Sequence, residues 1–127
     1  MLNLENNNIK ILLIEDDNFL RRIYVERFSA EGFMVLDADN GKAGLQKAFD
    51  EIPNIILLDL MLPDMTGLKI LEELKAEKRT KNVPVIMLSN INVDDKIKKA
   101  MDLGAKDYLI KIHMTPSEVV DKVREYI

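Results

Sequence analysis

The sequence predicts an α/β domain in which helices cover both faces of a parallel β-sheet. Three observations predict this fold class. Short apolar runs alternate with amphipathic segments from end to end of the chain, which is typical of repeated strand–helix units. The run at residues 9–14 is almost wholly apolar, as expected of a strand that is buried on both faces. The length of 127 residues fits a single domain.

The composition excludes several other classes of protein. Hydrophobic residues make up 47% and charged residues 31% of the chain, which is typical of a folded globular protein and not of a disordered one. The absence of cysteine excludes a disulfide scaffold. The net charge of -4 offers no basic surface for nucleic acid, and no apolar stretch approaches the roughly 20 residues that span a bilayer. We therefore expect a cytoplasmic protein that binds neither nucleic acid directly nor a membrane.

Five short apolar runs are the predicted strands. Pro84 opens the fourth run, a position at which a strand tolerates proline. Asp59 directly follows the third run. In chain order, the predicted strands are residues 9–14, 33–36, 54–58, 84–88 and 107–110.

The segments between these runs are predicted helices, because they carry capping residues and an apolar face. Thr66 can cap the third helix, and residues 115–118 form a capping box that opens the fifth. Asp17 is interpreted as the N-cap of the first helix, to whose apolar contacts Phe19 and Phe28 are expected to contribute. In chain order, the predicted helices are approximately residues 18–31, 40–50, 67–77, 92–103 and 115–127.

Polar residues that directly follow the predicted strands indicate where a functional site would lie. In open α/β sheets, ligands bind beyond the carboxyl ends of the strands. Parallel strands bring these ends to one edge, so residues distant in the sequence meet there. The polar residues at this edge are Glu15, Asp16 and Asp17 after the first strand, Asp59 after the third, Ser89 and Asn90 after the fourth, and Lys111 after the fifth.

Several carboxylates converging on one edge need a counter-charge. Two like charges about 4 Å apart repel by about 4 kcal/mol at an effective dielectric constant near 20. A hard divalent cation with oxygen ligands meets this need, and Mg²⁺ is the natural choice. With Glu15, Asp16 and Asp59 ionised, one Mg²⁺ together with the ammonium of Lys111 brings the formal charge to zero.

An aspartate, a hydroxyl, a lysine and a magnesium ion together suit phosphoryl transfer. Such chemistry needs an oxygen nucleophile and cations that neutralise the phosphoryl oxygens. Asp59 could be that nucleophile and form an acyl phosphate. Each of these residues taken alone is better explained as a polar loop residue that closes a strand. Their conjunction after four strands favours the phosphoryl-transfer interpretation.

Three segments resemble the receiver domains of bacterial response regulators. They are ILLIEDD at residues 11–17, LLDLMLPDMTG at residues 57–67 and GAKDYLIK at residues 104–111. The resemblance extends over nearly the whole chain. It implies a flavodoxin-like, doubly wound (βα)5 fold with strand order 2-1-3-4-5, of the chemotaxis type. We expect one receiver domain over residues 1–127, with its core at about 9–127, and no output domain.

The resemblance also implies a metal site and a phosphoryl acceptor. By position, Asp59 matches the phospho-accepting aspartate of the family. Glu15 and Asp16 match its acidic pair, with Asp16 as the direct metal ligand and Glu15 acting through water. Met61 would offer its backbone carbonyl to the metal. The cofactor implied is Mg²⁺, for which Mn²⁺ could substitute.

Three further residues match the family's switching machinery, and two depart from its pattern. Ser89 matches the switch hydroxyl, Lys111 the lysine that pairs with the phosphoryl group, and Tyr108 the aromatic residue that turns inward on activation. Asn90 stands where receiver domains usually have a small residue after the hydroxyl. Ile112 stands where they usually have a proline, often in a cis bond, so the loop that leaves the fifth strand is expected to differ.

The leading hypothesis is therefore a phosphorylation-activated switch and not a turnover enzyme. A sensor histidine kinase or a phosphotransfer protein would supply the phosphoryl group to Asp59. The face formed by the fourth helix, fifth strand and fifth helix would then bind a downstream protein. The expected oligomeric state is a monomer or a weak phosphorylation-dependent dimer.

Three alternatives remain open on the sequence. A pseudo-receiver would keep the fold without switching, and Asn90 and Ile112 are its support. A phosphatase with an aspartyl nucleophile would need a second acid two residues on, where Met61 stands. A flavin carrier would need a phosphate-binding loop rich in Ser, Thr or Gly after the first strand, where residues 15–17 are all acidic.

Overall fold

The sheet has five parallel strands in the order β2-β1-β3-β4-β5. The computed structural model describes residues 8–127, so residues 1–7 of the predicted domain lie outside the described residues. The strands are β1 (Lys10–Ile14), β2 (Met34–Ala38), β3 (Ile55–Leu58), β4 (Val85–Ser89) and β5 (Asp107–Ile110). The predicted fold class and the strand order implied by the resemblance are confirmed.

Within residues 8–127, five α-helices connect the strands or follow them. They are α1 (Asn18–Ala30), α2 (Gly41–Glu51), α3 (Gly67–Ala76), α4 (Asp94–Asp102) and α5 (Pro116–Arg124). A 3-10 turn, Lys111–His113, follows β5 directly. None of the helices in residues 8–127 is long and apolar enough to cross a membrane.

Successive residues of each strand point into two separate cores. On one face, Leu12, Ile14, Ile56 and Leu58 pack in a cluster that includes buried residues of α2, α3 and α4. On the other face, the alternate residues of the same strands pack against α1 and α5, which contribute Tyr24, Phe28, Val119, Val120 and Val123. The sheet is thus covered on both sides, which explains why its strands are almost entirely apolar.

The predicted helix caps are present. The carboxylate of Asp17 accepts the Leu20 N–H at 3.0 Å, and Thr66 Oγ1 accepts the Lys69 N–H at 3.2 Å. Thr115 forms the capping box at the start of α5. These side chains satisfy N–H groups that have no partner inside the helix.

Some predicted boundaries and contacts are wrong. β2 extends to Ala38, beyond its apolar run, because Ala38 pairs with Ile14 of the neighbouring β1. α4 begins at Asp94 and not at residue 92. Phe19 does not pack on the sheet as expected, since it is 74% exposed, whereas Phe28 is fully buried.

Candidate functional site

The acidic side chains at the carboxyl edge are positioned by the two central strands. Glu15 directly follows β1, and its N–H donates to the carbonyl of Ala38 at 3.0 Å. Asp59 directly follows β3, and its N–H donates to the carbonyl of Ile14 at 3.1 Å. Backbone hydrogen bonds therefore continue the sheet one residue past the strands and hold both carboxylates at adjacent positions.

Three carboxylates form a compact cluster at this edge. Glu15, Asp16 and Asp59 each offer an oxygen, and these oxygens lie within 4.8 Å of one another. Glu15 is 1% and Asp59 6% exposed, whereas Asp16 is exposed to solvent. Burial raises the pKa of Glu15, although the Lys111 ammonium and the Asp17 N–H oppose this shift.

Lys111 supplies the positive charge that the cluster needs. Its Nζ lies 2.6 Å from Asp59 Oδ2 and also pairs with Glu15 Oε1. Burial alone would lower the pKa of the ammonium, but its hydrogen bonds and ion pairs with the two carboxylates outweigh burial and raise it. Lys111 is therefore charged at neutral pH and ties the two carboxylates together.

The donor set fits a hard divalent cation. Three carboxylate oxygens converge, two on buried residues and one on a residue open to solvent. Apart from its pairing with Lys111, the buried Glu15 Oε1 has no hydrogen-bond partner among the described residues. Mg²⁺ binds through one or two carboxylates and keeps several waters, which matches a cluster with one exposed side. Met61 lies beside it, and its N–H donates to Asp59 Oδ1 at 3.3 Å.

Ser89 and Tyr108 lie on the neighbouring strands and meet at Ile91. Ser89 ends β4, is buried, and its Oγ accepts the Ile91 N–H at 3.2 Å. The Tyr108 hydroxyl donates to the Ile91 carbonyl at 2.6 Å. Burial raises the pKa of the Tyr108 phenol, and a hydrogen bond with Ser89 opposes the shift. The aromatic side chain is thus half-buried and bonded to the loop after β4.

The two residues that depart from the family pattern contact each other. The Ile112 N–H donates to Asn90 Oδ1 at 2.9 Å. The peptide bonds of residues 8–127 are all trans, and the chain after Lys111 forms the 3-10 turn. The expectation that this exit loop differs from a cis-proline loop is consistent with both observations.

Gly67 positions the loop after Asp59, and sequence reasoning assigned it no role. A Cβ at this position would lie 2.2 Å from the Asp59 carbonyl oxygen and 2.8 Å from the Leu60 Cα. The Gly67 N–H donates to the Leu60 carbonyl at 2.7 Å. Glycine therefore allows the start of α3 to pack directly against the backbone of Asp59. Its place in the DxxxxxxxG spacing of residues 59–67 is the signal that could have found it.

Asp64 is a second residue that was missed. Its carboxylate accepts the N–H groups of Gly41 at 2.7 Å and Lys42 at 2.9 Å. These backbone hydrogen bonds lower the pKa of Asp64. They fasten the loop after Asp59 to the start of α2, a contact between segments that no local pattern reveals.

The comparison with protein families identifies the class of protein. The model described as "Response regulator receiver domain" matches residues 11–124. The chain therefore belongs to the response regulator receiver domain family of two-component systems. Members of this family are signalling switches and not turnover enzymes, and they bind Mg²⁺ through an acidic pocket of the kind described above.

Curated relatives match nearly all of this chain. It is 37% identical over 119 residues to the probable transcriptional regulator ycf27 of Porphyridium aerugineum, with 93% of this chain and 48% of that protein covered. It is 33% identical over 115 residues to the transcriptional regulatory protein SrrA of Staphylococcus aureus, with 91% and 46% covered. The chain spans about half the length of these relatives.

Solved structures show the same fold. The chemotaxis protein CheY4 of Vibrio cholerae superposes with a TM-score of 0.87 at 23% identity, covering 94% of this chain and 98% of that one. A CheY-like receiver domain protein from Methanospirillum hungatei gives 0.85 at 29% identity, covering 92% and 91%. The chemotaxis type itself stays a prediction, since the curated relatives above are named as transcriptional regulators.

Proposed function

We propose that this domain is a phosphorylation-activated switch in which Asp59 accepts a phosphoryl group. The donor is a phosphohistidine on a sensor histidine kinase or a phosphotransfer protein. The observation that carries this proposal is the placement of a buried Asp59 within 2.6 Å of the Lys111 ammonium, beside two further carboxylates. A carboxylate nucleophile with positive charge held next to it is suited to accept a phosphoryl group.

The transfer forms one bond and breaks one. A carboxylate oxygen of Asp59 attacks phosphorus, and the P–N bond to the donor imidazole breaks as the new P–O bond forms. The imidazole nitrogen keeps the bonding electron pair and so leaves as neutral imidazole once protonation by solvent balances its charge. Lys111, already in contact with Asp59 Oδ2, stabilises the negative charge on the transferred oxygens.

The three carboxylates are the residues that would hold the metal ion. Glu15, Asp16 and Asp59 are proposed as its protein ligands or as partners of its bound water, together with the backbone carbonyl of Met61. When bound, Mg²⁺ supplies positive charge that neutralises the equatorial oxygens of the phosphoryl group, and Mn²⁺ is proposed as a substitute. Asp16, exposed at the rim, keeps one side of this site open to solvent.

Ser89 and Tyr108 are proposed to convert phosphorylation into a change of surface. The Ser89 hydroxyl would donate to a phosphoryl oxygen, and the turn of the side chain toward that oxygen would disturb the bond that Ser89 Oγ now accepts from the Ile91 N–H. Because Tyr108 is bonded to the Ile91 carbonyl, a shift of this loop moves the aromatic ring as well. The surface formed by α4, β5 and α5 then changes, and a downstream protein binds it.

Exposed apolar side chains beside the site suit docking of the phosphodonor. Phe19 is 74% and Met61 59% exposed, and each lies within three positions of a carboxylate of the cluster. A partner that covers them excludes water from the transferred group. Phe19→Ala should therefore slow transfer from a kinase while transfer from phosphoramidate keeps its rate.

Three parts of the proposal concern the protein as a whole. We place it in the cytoplasm, as a monomer or a weak phosphorylation-dependent dimer. Direct binding of nucleic acid is not proposed for this domain, because its net charge is -4. The assignment of residues 1–127 as one receiver domain stays a prediction.

The second candidate function is a pseudo-receiver that binds partners without phosphorylation. Asn90 and Ile112, which replace the usual residues beside the switch hydroxyl and the lysine, favour it. The intact set of Asp59, Lys111 and the acidic pair argues against it, since a module that does not react has no need for buried ion pairs of this kind.

Intact mass measurement tests the proposal. The protein is incubated with Mg²⁺ and phosphoramidate, beside Asp59→Asn and the matched control Asp64→Asn, which alters a nearby aspartate outside the carboxylate cluster. We expect one added phosphoryl group in the wild type and in Asp64→Asn, none in Asp59→Asn, and none after chelation of the metal. Folded wild-type protein that stays unlabelled and binds no Mg²⁺ would overturn the proposal in favour of the pseudo-receiver.

A further inference from the structure

Asn90 and Ile112, the two departures from the family pattern, are bonded to each other. The Ile112 N–H donates to Asn90 Oδ1 at 2.9 Å across 22 positions of sequence. A proline at position 112 would have no N–H to donate, and a small apolar residue at position 90 would have no side-chain acceptor. Asn90 therefore supplies the acceptor and Ile112 the donor of this hydrogen bond, and the usual family residues would supply neither.

The bond extends the contact between two strands beyond their ends. Ser89 and Ile110 are the last register pair of β4 and β5, and the bond lies just past them. The turn Lys111–His113 follows, and the first N–H groups of such a turn have no acceptor within it. Asn90 provides an acceptor from the neighbouring loop to the second residue of this turn.

The bond also joins the sequence neighbours of the two residues whose side chains would bind the phosphoryl group. Ser89 immediately precedes Asn90, and Lys111 immediately precedes Ile112. The bond therefore ties the backbone that carries Ser89 to the backbone that carries Lys111. Lys111 Nζ reaches Asp59 Oδ2 at 2.6 Å, so the position of its backbone determines where the charge meets the acceptor.

We propose that the Asn90–Ile112 hydrogen bond is a positioning pair that fixes the spacing of Ser89 and Lys111 for phosphoryl transfer. This inference rests on the proposed function, because the spacing matters when both side chains bind the same phosphoryl group. Asn90 and Ile112 are assigned no contact with the phosphoryl group. They act through the residues that precede them.

The expected effect is on the rate of phosphorylation and not on metal binding. Loss of one hydrogen bond that orders two reacting groups should lower the rate constant about three- to tenfold. The dissociation constant for Mg²⁺ should stay the same, since the carboxylates are held by backbone bonds of the central strands. Both residues are exposed, so the melting temperature should change little.

A double-mutant cycle tests the pair on the full chain. Phosphorylation by phosphoramidate is followed at saturating Mg²⁺ in the wild type, Asn90→Ala, Ile112→Pro and the double variant. The matched cycle uses Ile112→Ala, which removes the side chain but keeps the N–H. Mg²⁺ affinity and the melting temperature are measured for each variant. Any strain that proline at position 112 imposes on Lys111 is present both in Ile112→Pro and in the double variant. It therefore cancels when the rates of these two variants are compared.

The outcomes separate this inference from the proposed function. We expect Asn90→Ala to slow phosphorylation about three- to tenfold in the wild type and in Ile112→Ala, and to have no further effect in Ile112→Pro. An equal slowing in all three backgrounds, or none in the wild type, would overturn the positioning role and leave the proposed function standing. A fall in Mg²⁺ affinity parallel to the rate would also overturn it. Wild-type protein that takes up no phosphoryl group and binds no Mg²⁺ would overturn both.

Discussion

The site has an acidic half, formed by Glu15, Asp16 and Asp59, and a switch half, formed by Ser89, Asn90, Tyr108 and Lys111. The two halves are held by different kinds of bond. Glu15 and Asp59 follow the central strands, and backbone hydrogen bonds to Ala38 and Ile14 fix them. In the switch half, the loop after β4 is held by side chains, through Ser89, Asn90 and Tyr108. Lys111 belongs to the second half and reaches across to the first.

This difference indicates which half can move. Backbone bonds inside a sheet break only when the sheet opens, so Glu15 and Asp59 stay in place. Single side-chain bonds near the surface are worth about 1 kcal/mol each, so a new partner such as a phosphoryl group can exchange with them. A switch needs one fixed half that does the chemistry and one half with two arrangements of similar free energy.

Removal of the charge that joins the two halves should have the largest effect. Lys111→Met leaves two buried carboxylates without their counter-charge, and we expect the free energy of unfolding without metal to fall by about 3 kcal/mol. Phosphorylation should be lost as well. Urea unfolding at pH 7 measures the first effect. The control is Lys98→Met, which removes an exposed ion pair with Asp102 and should lower the free energy of unfolding by about 0.5 kcal/mol or less. Equal losses of stability in the two variants would contradict the account.

The addition of a methyl group at Gly67, beside the acidic half, should have the next largest effect. Gly67→Ala places a Cβ against the backbone of Asp59, and we expect a loss of about 2 kcal/mol from overpacking. Phosphorylation should slow because the acceptor loop is displaced. Thermal unfolding and phosphoramidate kinetics check both effects. Lys69→Ala, an exposed position of the same helix, should change neither; a Gly67→Ala variant as stable as Lys69→Ala would show that this half is not rigid.

The raised pKa of Glu15, in the acidic half, predicts that the stability of the protein depends on pH. Burial raises this pKa above its ordinary value of 4.5, so the folded protein holds the proton more tightly than the unfolded chain. Stability without metal should therefore fall as pH rises from 4.5 through the raised pKa. Above the raised pKa the fall should end, because Glu15 is then ionised in the folded and the unfolded state alike.

The variant Glu15→Gln isolates this group. It should remove the fall in stability and weaken Mg²⁺ binding, as urea unfolding across pH and metal titration would show. An unchanged pH profile in Glu15→Gln would assign the dependence to another group.

The smallest effect is expected in the switch half. Tyr108→Phe removes the hydrogen bond to the Ile91 carbonyl, and we expect a loss of about 1 kcal/mol or less. Mg²⁺ affinity should equal that of the wild type, because the carboxylates are anchored elsewhere. Isothermal titration with Mg²⁺ distinguishes the two halves. A weaker affinity in Tyr108→Phe would break the comparison, since it would mean that the two halves are not independent.

The sequence was sufficient for the α/β fold class because its signals are local, whereas the strand order was implied by the family resemblance. The apolar runs, the caps at Asp17, Thr66 and Thr115, and the polar residues after each strand all describe their own segments. Parallel strands then bring those segments to one edge without further information. This is why the sequence alone could place Glu15, Asp59 and Lys111 together.

The features that sequence reasoning missed are contacts between segments. Asn90 and Ile112 were each noted as departures, but their hydrogen bond depends on how the ends of β4 and β5 align. Gly67 is required by the backbone of Asp59 and by nothing in its own helix. Phe19 has the apolar character of a core residue yet lies outside, because its position on α1 faces away from the sheet.

Mapping the modified residue tests the central claim most directly. The protein is phosphorylated with phosphoramidate and Mg²⁺, reduced with borohydride to trap acyl phosphates, digested and sequenced by tandem mass spectrometry. We predict that the trapped residue is Asp59 and that Asp16 and Asp64 stay unmodified. Reduction at another carboxylate, with Asp59 intact, would contradict the account.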